Sequence, residues 1–371
     1  MYRVLEVCVD LDGGGIDRYL YNYCMRIDGI HFDFAAVDSK EGILEPLLAA
    51  KGYDIYHIPR LSNGVLSNFR ALKAIMTANK YDVVHVHLGY FSVVALICAC
   101  LCGVRTRIVH AHIANAPESK GEKLIRKILT PFTKWFATDL AACGIDAAKW
   151  VWGNRTFSQG KVTIHNNAID TSLFAYSEEA RKEYRGKMGI DSHCIAVGHV
   201  GRFSNQKNQK RLVKMFSKIH EMEPNSLLVL IGHEDAGYNV DKEIDELGLG
   251  CCTMPLGVRN DVEKLLNIMD VFVFPSKYEG LPFTLIETQC NGLPCICSDA
   301  VTEQVKCSNC IEFVSLEESD GEWAQKALNK ASEGRNSSAI QDVIDAGYDI
   351  NIEAGKLKKF YENCIIKHVK D

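Results

Sequence analysis

The stretch CIAVGHVGRFSNQKNQKRLVKMF, residues 194–216, repeats a layout found at the start of the chain in YRVLEVCVDLDGGGIDRYLYNY, residues 2–23. Each begins with an apolar run that predicts a buried strand, continues through a loop with glycine, and ends in a segment with helical periodicity. Strand and helix signals alternate over the whole chain, a pattern typical of parallel sheets covered by helices. The repeated layout predicts an α/β protein with two Rossmann-like domains in tandem.

The length and one polar segment predict where these domains meet. The 371 residues suffice for two domains, at roughly 150 residues each. The segment AIDTSLFAYSEEARKEYRGKMGIDSH places the boundary near residue 172, which predicts domains over residues 1–172 and 173–350. Residues 351–371 predict a last amphipathic helix that packs back on the N-terminal domain. Because ligands bind at the carboxyl ends of strands in open α/β sheets, we expect the two sheets to face each other across a ligand cleft.

The composition excludes several other classes of protein. With 47% hydrophobic and 24% charged residues the chain resembles an ordinary globular protein, and its net charge of −5 disfavours non-specific binding to nucleic acid. The first residues lack the pattern of a signal peptide. Fifteen cysteines, mostly in apolar runs, are typical of reduced thiols in a cytoplasmic protein. Cys307 and Cys310 form the motif Cys-x-x-Cys, but without a second pair we favour plain thiols over a zinc site.

Two cations follow the strand signal of the C-terminal half. Arg202 and Lys207 lie in GRFSNQKNQKRL, residues 201–212, on the loop between the predicted strand and helix. A planar guanidinium and a flexible ammonium on one loop can both bind a diphosphate. A solvated basic loop is the alternative.

Two glutamates flank a predicted helix start in YEGLPFTLIE, residues 278–287. The preceding run VFVFPS predicts a buried strand, Pro282 favours the first turn of a helix, and Gly292 favours its end. We therefore expect Glu279 in the loop, near the reacting end of a ligand, and Glu287 inside the helix, where it could hold ribose hydroxyls. Free N–H groups at the helix start would offer an anion site beside them. For Glu279 the alternative is a solvated acid near a helix start.

Residues 201–212 together with LGVRNDVEKLLNIMDVFVFPSKYEGLPFTLIETQCNGLPCICSD, residues 256–299, resemble the donor-binding half of family-4 retaining glycosyltransferases, which have the GT-B fold. The arginine–lysine pair and the two glutamates carry this resemblance. It covers the chain, is strongest over residues 197–299, and is closest to the branch that builds bacterial capsular polysaccharides and exopolysaccharides. Thr288 departs from it, since the family usually has alanine at this place.

The resemblance implies roles for the residues of the C-terminal half. Arg202 and Lys207 would neutralise the donor diphosphate as it leaves. Glu287 would hold the ribose, and Glu279 would lie against the donor sugar near its anomeric carbon. The other donor contacts implied here are with the base, the phosphate and the sugar. They would come from Val258 and Arg259, near the base, and from the backbone around Gly280, Leu281 and Pro282.

The resemblance further implies that the domain over residues 173–350 binds the nucleotide-sugar donor and that the domain over residues 1–172 binds the acceptor. The N-terminal half matches the family more loosely. The segment GGGID resembles the glycine loop of the family, in which Gly14 and Gly15 would let the backbone approach the donor phosphate or the acceptor. Asp17 replaces the usual glutamate of that loop. His112, near the end of a predicted strand, would contact the donor sugar, and Asn167 matches an asparagine near the hinge.

Other residues of this half could bind a metal ion or pack in the core. For His110 the alternative to a ligand contact is a buried, hydrogen-bonded side chain. For His85 and His87 we favour packing or acceptor contact over metal binding. Asp10 and Asp12 form an Asp-x-Asp pair, which binds divalent cations in the other glycosyltransferase fold. Since the GT-B fold uses basic side chains and helix ends for that purpose, we expect no metal ion.

One basic, amphipathic segment is SKGEKLIRKILTPFTKWFA, residues 119–137. Its apolar residues fall on one side of a predicted helix and its basic residues largely on the other. Such a helix can lie on an anionic membrane surface. The alternative is an ordinary helix whose apolar face packs on the N-terminal sheet.

The sequence thus predicts a retaining, metal-independent glycosyltransferase that acts in the synthesis of bacterial cell-surface polysaccharide. It would move a hexose from a nucleotide-diphosphate sugar, expected to be a UDP-sugar, to a glycan or a lipid-linked saccharide. We expect a cytoplasmic protein, with peripheral contact at the inner face of the membrane through residues 119–137, and neither a cofactor nor a nucleic-acid partner. The alternatives are a sugar-nucleotide epimerase with the GT-B fold and a non-catalytic protein that binds sugar nucleotides.

Overall fold

The computed structural model describes residues 1–37, 40–114 and 118–369. It forms two compact units, one of Met1–Ala168 with Ile350–Asp371 and the other of Ile169–Asp349. Residues 370 and 371, the end of the predicted last helix, lie outside the described residues. The roles of the two units in binding acceptor and donor stay a prediction, as does the cleft.

The first unit contains a parallel sheet of seven strands in the order β3-β2-β1-β4-β5-β6-β7. The strands are β1 (Tyr2–Cys8), β2 (Ile30–Ala36), β3 (Ile55–His57), β4 (Val83–Val86), β5 (Thr106–Ala111), β6 (Asp139–Ala142) and β7 (Val162–Ile164). The helices are α1 (Gly15–Arg26), α2 (Glu45–Ala50), α3 (Val65–Ala78), α4 (Val93–Leu101), α5 (Lys120–Phe136), α6 (Ile145–Trp152) and α7 (Asn154–Ser158). Short 3₁₀ helices cover Leu61–Asn63 and Gly89–Ser92.

The second unit contains a parallel sheet of six strands in the order β10-β9-β8-β11-β12-β13. The strands are β8 (Ile195–Val200), β9 (Ser226–Ile231), β10 (Thr253–Pro255), β11 (Val271–Phe274), β12 (Cys295–Ser298) and β13 (Ile311–Val314). The helices are α8 (Glu178–Lys187), α9 (Gln209–Met222), α10 (Asp241–Glu246), α11 (Val262–Leu265), α12 (Phe283–Cys290), α13 (Asp320–Ser332) and α14 (Ala339–Asp345). Short 3₁₀ helices cover Gly250–Cys252, Leu266–Ile268 and Glu303–Val305.

The strand order places a switch point in each sheet. In the first sheet, β1 pairs with β2 on one side and with β4 on the other. In the second, β8 pairs with β9 and with β11. At such a point the connections diverge to opposite sides, and the loops at the carboxyl ends of the two central strands leave a crevice where ligands bind. The predicted α/β fold with two parallel sheets is confirmed.

The last helix, α15 (Ile350–Val369), belongs to the first unit and packs against α1 and β5. Its Tyr361 is fully buried. Among the described residues, no helix combines the length and the apolar character needed to cross a membrane. All fifteen cysteines, Cys307 and Cys310 included, are free thiols.

Candidate active site

Two loops at the switch point of the second sheet are bound to each other. The loop after β8 carries Lys207, and the loop after β11 carries Glu279. The amide of Lys277 donates to the carbonyl of Gln206 at 2.8 Å. The side-chain amide of Gln206 in turn donates to the carbonyl of Tyr278 at 3.0 Å. Because these hydrogen bonds join the loops, they also fix the separation between the cation and the acid.

Lys207 and Glu279 form an ion pair with 2.9 Å between Nζ and Oε1. The side chains are only 17% and 8% exposed, respectively. The Lys207 ammonium also lies 4.6 Å from the centre of the Phe274 ring, at the end of β11. A cation between an aromatic face and a buried carboxylate is both attracted and held in place. This arrangement fixes the Lys207 ammonium, paired with a carboxylate, at the carboxyl end of β11.

The two arginines predicted to bind the donor have other partners. Arg202 lies 3.4 Å from Asp235 with 57% of its side chain exposed. Arg259 donates two hydrogen bonds, of 2.8 and 2.7 Å, to Asp261. Exposed ion pairs contribute little free energy, so either guanidinium could exchange its carboxylate for a phosphate oxygen. Val258, beside Arg259, is 58% exposed.

The turn between Glu279 and α12 comes next in the loop after β11. Gly280 lies between the buried residues Glu279 and Leu281. Pro282 is the N-cap of α12 with a φ of −74°, so the helix begins one residue later than the proline. Because a proline lacks an N–H group, the free amides of this helix start come from the residues after it.

Glu287 lies within α12 and is only 2% exposed. The sequence predicted this position inside the helix, and the structure adds that the carboxylate is buried. Thr288, the departure from the family pattern, is also fully buried. Its hydroxyl donates to the carbonyl of Leu285 at 3.1 Å. The threonine is therefore accommodated by its own helix.

The glycine loop of the first unit lies at the switch point of the first sheet. The amide of Gly14 donates to the carboxylate of Asp17 at 2.8 Å. Burial and the neighbouring Asp10 raise the pKa of Asp17 to about 8. Gly15 begins α1, and a Cβ atom there would meet nothing within 4 Å, so the space beside it is open. Asn167, after β7, is 5% exposed.

Four histidines of the first unit, His85, His87, His110 and His112, form one cluster. His112 follows β5 and is half-buried, and its Nε2 lies 2.8 Å from Nδ1 of His87. The ring of His110 stacks on that of His112, with centroids 4.2 Å apart. His110 is fully buried, yet neither ring nitrogen has a hydrogen-bond partner among the described residues. The burial expected in the alternative for His110 is thus observed, but its hydrogen bond is not, and the ring packs on His112 and on the edge of Tyr19, 4.8 Å away.

Residues 180–309 match the family model described as Glycosyl transferases group 1. The chain carries a group 1 glycosyltransferase domain. This match contains the loop after β8, the loop after β11 and helix α12. The group 1 domain therefore includes Arg202, Lys207, Glu279 and Glu287.

Relatives and solved structures agree with this assignment. The chain is 29% identical over 370 residues to EpsF of Bacillus subtilis, which is named as a glycosyltransferase, with 97% of this chain and 96% of that protein covered. It is 25% identical to the UDP-Gal:alpha-D-GlcNAc-diphosphoundecaprenol alpha-1,3-galactosyltransferase of Escherichia coli, with 95% and 94% covered. The crystal structure of Anabaena HepE in complex with UDP-glucose superposes with a TM-score of 0.80 at 19% identity, covering 98% of this chain and 100% of HepE. The predicted glycosyltransferase class and GT-B fold are thereby confirmed.

Two residues that support the loop after β8 in the group 1 domain, His199 and Gln209, were not predicted from the sequence. His199 is fully buried. Its Nε2 lies 3.0 Å from the side-chain nitrogen of Gln209, and its Nδ1 lies 2.9 Å from the carbonyl oxygen of Val273. Gln209 also donates to the carbonyl of Arg202 at 3.0 Å and accepts from the amide of Ser204 at 3.0 Å. In the sequence these two residues are separated as His-x-Gly-x-x-x-x-x-x-x-Gln, and this spacing does not correspond to a motif that could have identified them.

Proposed function

We propose that this glycosyltransferase is a retaining enzyme of cell-surface polysaccharide synthesis that transfers a hexose from a UDP-sugar to a lipid-linked saccharide or a glycan. The observation that carries this proposal is the buried ion pair of Lys207 and Glu279 at the switch point of the group 1 domain. Two similarities support the choice of donor and acceptor. The name of the E. coli relative gives UDP-Gal and a diphosphoundecaprenol-linked sugar, and HepE was crystallised with UDP-glucose.

In this proposal the fixed cation acts on the leaving group. Charge grows on the diphosphate as its bond to the sugar breaks, and a preorganised positive charge in a place with little water stabilises that charge more than it stabilises the substrate. Lys207 meets these conditions because Glu279 and Phe274 hold it in place. The more exposed Arg202 would give up its ion pair with Asp235 and then bind the diphosphate.

The two glutamates act on the two sugars of the donor. Glu287 is buried on α12, where its carboxylate would accept hydrogen bonds from ribose hydroxyls. Glu279 would lie beside the transferred sugar and keep Lys207 oriented. Val258 and Arg259 would border the base. These roles follow the family resemblance, and the burial of both carboxylates supports them.

The reaction we propose requires neither a metal ion nor a protein nucleophile. The acceptor hydroxyl would attack from the face that the diphosphate leaves, so that the anomeric configuration is retained, and a phosphate oxygen would take its proton. Lys207, Arg202 and the amides at the start of α12 would supply the positive charge. Turnover that persists in EDTA would support metal independence, and a loss that Mg²⁺ or Mn²⁺ restores would contradict it.

The exposed face of α5 supports a membrane-bound acceptor. Five of its apolar residues are exposed to solvent, among them Ile128 at 51%, Phe132 at 55% and Trp135 at 83%. The exposed basic residues Lys123 and Lys127 share this helix. Large exposed apolar side chains next to lysines fit an anionic bilayer surface, and they disfavour the alternative in which this face packs on the sheet.

Vesicle flotation tests this contact. The wild-type protein should float with vesicles that contain phosphatidylglycerol and less with vesicles of phosphatidylcholine alone. The variant Ile128→Ser with Trp135→Ser should lose binding, whereas Leu66→Ser should keep it, because Leu66 is equally accessible at 70% but lies on α3. Equal flotation of both variants would remove α5 from the proposal.

Transfer of radiolabel tests the activity itself. Purified protein with labelled UDP-galactose or UDP-glucose and undecaprenyl-diphosphate-linked N-acetylglucosamine should give a labelled lipid whose new glycosidic bond is α. Donor alone should be hydrolysed slowly at most. Conversion of the donor into its epimer would favour the epimerase, and binding of the donor without any product would favour a non-catalytic protein.

A further inference from the structure

A continuous chain of hydrogen bonds runs through buried side chains of the first unit. Oε2 of Glu6, on β1, lies 2.8 Å from Nε2 of His87. Nδ1 of His87 lies 2.8 Å from Nε2 of His112. Tyr361 of α15 donates to Oε1 of Glu6 at 2.9 Å. Glu6, His87 and Tyr361 are at most 2% exposed, so this chain leads from the core to the half-buried ring of His112.

The chemistry of the groups fixes the direction of each hydrogen bond. Burial raises the pKa of Glu6, but His85 and His87 outweigh it and lower this pKa to about 2, so the carboxylate is ionised and only accepts. Nε2 of His87 must therefore donate. Burial, together with His85, lowers the pKa of His87 to about 4, so His87 is neutral and its Nδ1 is an acceptor. Nε2 of His112 is then the donor in the last bond.

We propose that Glu6, acting through His87, holds His112 in the tautomer with its proton on Nε2, so that Nδ1 of His112 accepts a hydrogen bond from a hydroxyl group of the donor sugar. This inference rests on the proposed function, since it requires a donor sugar beside His112. Glu6 and His87 are positioning residues, because both are buried and would act on the sugar only through His112. Among the described residues, the hydrogen bond observed for the His112 ring is the one between its Nε2 and His87, which leaves Nδ1 for a ligand.

The packing around His112 keeps its ring in this orientation. His110 stacks on one face at 4.2 Å, and the ring of Tyr19 meets it edge-on at 5.3 Å. A ring held in this way cannot exchange its two nitrogens by turning over without disturbing the core. The tautomer, and not only the position of the ring, would therefore be set before the donor binds.

A metal ion is the competing use of this cluster. His85, His87 and His110 offer ligand atoms that lie within 4.8 Å of one another. Both nitrogens of His87 are already engaged, however, with Glu6 and with His112. A bound ion would break one of these hydrogen bonds and leave a buried partner unsatisfied, which is unfavourable. The observed geometry thus favours the hydrogen-bonded chain.

Nitrogen NMR tests the tautomer in the absence of any ligand. In protein labelled with ¹⁵N-histidine, the signals of His112, assigned by their loss in His112→Asn, should show a protonated Nε2 and an unprotonated Nδ1. Glu6→Leu removes the acceptor, so His112 should become a mixture of tautomers. Tyr361→Phe removes a donor to Glu6 but keeps the rest of the chain, so it should retain the wild-type tautomer. A proton on Nδ1 in the wild type, or an unchanged tautomer in Glu6→Leu, would overturn the proposal.

Ligand affinity tests the contact with the sugar. Calorimetry should give the same affinity for UDP in wild type and Glu6→Leu, and hydrogen exchange of peptides from β1 and β4 as slow as in the wild type would show that the first unit of the variant is folded. The affinity for UDP-glucose or UDP-galactose should fall about five- to tenfold, the usual worth of one hydrogen bond. Equal losses for UDP and UDP-sugar would overturn the positioning role. A metal ion that copurifies at one per chain and disappears in His87→Phe would overturn it as well.

The two proposals can fail separately. If the tautomer result holds but the wild type binds neither UDP-sugar, the donor site has been assigned wrongly while Glu6 still sets the state of His112. If the wild type binds UDP-sugar but the tautomer differs, the proposed function stands and this inference falls.

Discussion

Replacement of Lys207 by methionine removes one partner of the buried ion pair and keeps the length of the side chain. The carboxylate of Glu279, 8% exposed, would lose the ammonium 2.9 Å away. The loop after β8 would also lose the contact between that ammonium and the ring of Phe274 at 4.6 Å. Both losses fall on the group 1 domain, at the place where we propose that the diphosphate binds.

The expected effect on stability can be bounded from this geometry. Removing one partner of a buried pair costs about 3–5 kcal/mol because the other charge stays buried. Since Lys207 is 17% exposed, water can reach part of the site, and we expect the lower end, about 3 kcal/mol. In the double variant with Glu279→Gln no charge is left unpaired, so about 2 kcal/mol of the loss should return. The rate constant kcat should fall by about 10²–10³, as when a group that stabilises developing charge is removed.

Urea unfolding, monitored by hydrogen exchange of peptides from α9 and α12, measures the stability of the second unit. Donor turnover measures kcat. Lys214→Met is the matched control, because Lys214 lies on α9 and pairs with Glu243 at 3.3 Å but is 53% exposed. Its loss should change the free energy of unfolding by at most about 1 kcal/mol and leave kcat unchanged. If the Lys207 and Lys214 variants behave alike, or if the double variant is no more stable than Lys207→Met, the reasoning about the buried pair is refuted.

Three further predictions concern the supports of the site. Gly232→Ala should destabilise the second unit by about 3 kcal/mol, since its φ is +145° and a Cβ atom would lie 2.0 Å from a carbonyl oxygen of the β8 loop. The control Gly250→Ala, at a glycine with free space around it, should have the same free energy of unfolding in urea as the wild type. Gln209→Leu should cost about 2 kcal/mol by leaving buried groups unpaired and should speed hydrogen exchange over residues 201–208, while exchange in β13 stays slow; unchanged exchange over 201–208 would contradict this. Burial lowers the pKa of His87 and of His199 to about 4, below the value near 6.5 of an unfolded chain. The neutral rings therefore contribute their full stability above pH 6.5, and this contribution, about 3 kcal/mol for each histidine, is lost as the pH falls to 4. A urea midpoint that is equal at pH 7 and pH 5 would disprove this prediction.

The sequence predicted the alternation of strands and helices because long apolar strands next to glycine loops leave a strong local signal. Nine of the thirteen strands in the described residues have such an apolar run in the sequence, and β2, β3, β10 and β13 do not. The strands β3 and β10 have three residues each at the sheet edges, too few to show a period. The strand β2, IHFDFAA, contains the buried Asp33, which binds Arg3 at 2.6 Å and interrupts the apolar run.

The site was predicted from its motifs, and its partners were not. That Lys207 meets Glu279 follows only from the pairing of β8 with β11, and Asp235, the partner of Arg202, comes from a different loop. The hydrogen bond of Glu6 with Tyr361 spans 355 residues. No local pattern reveals these contacts, because each joins segments that are distant in the sequence. The contact of Glu6 with Tyr361 also depends on the return of α15 to the first unit.

The direction in which α5 faces could not be predicted either. An amphipathic pattern specifies that a helix has an apolar side, but it does not specify what that side contacts. In the structure Trp135 is 83% exposed, while Arg126 of the same helix is bound to Glu118 at 2.8 Å and covers the ring of Trp150. The basic side of the helix is thus partly used inside the unit, and the apolar side is exposed.

Calorimetric titration with UDP measures most directly whether a diphosphate binds at Lys207. We predict one UDP per chain in the wild type and in Lys214→Met, and a loss of affinity of at least about thirtyfold in Lys207→Met, which corresponds to about 2 kcal/mol. Equal affinity in all three proteins would show that the diphosphate binds elsewhere and would contradict the account.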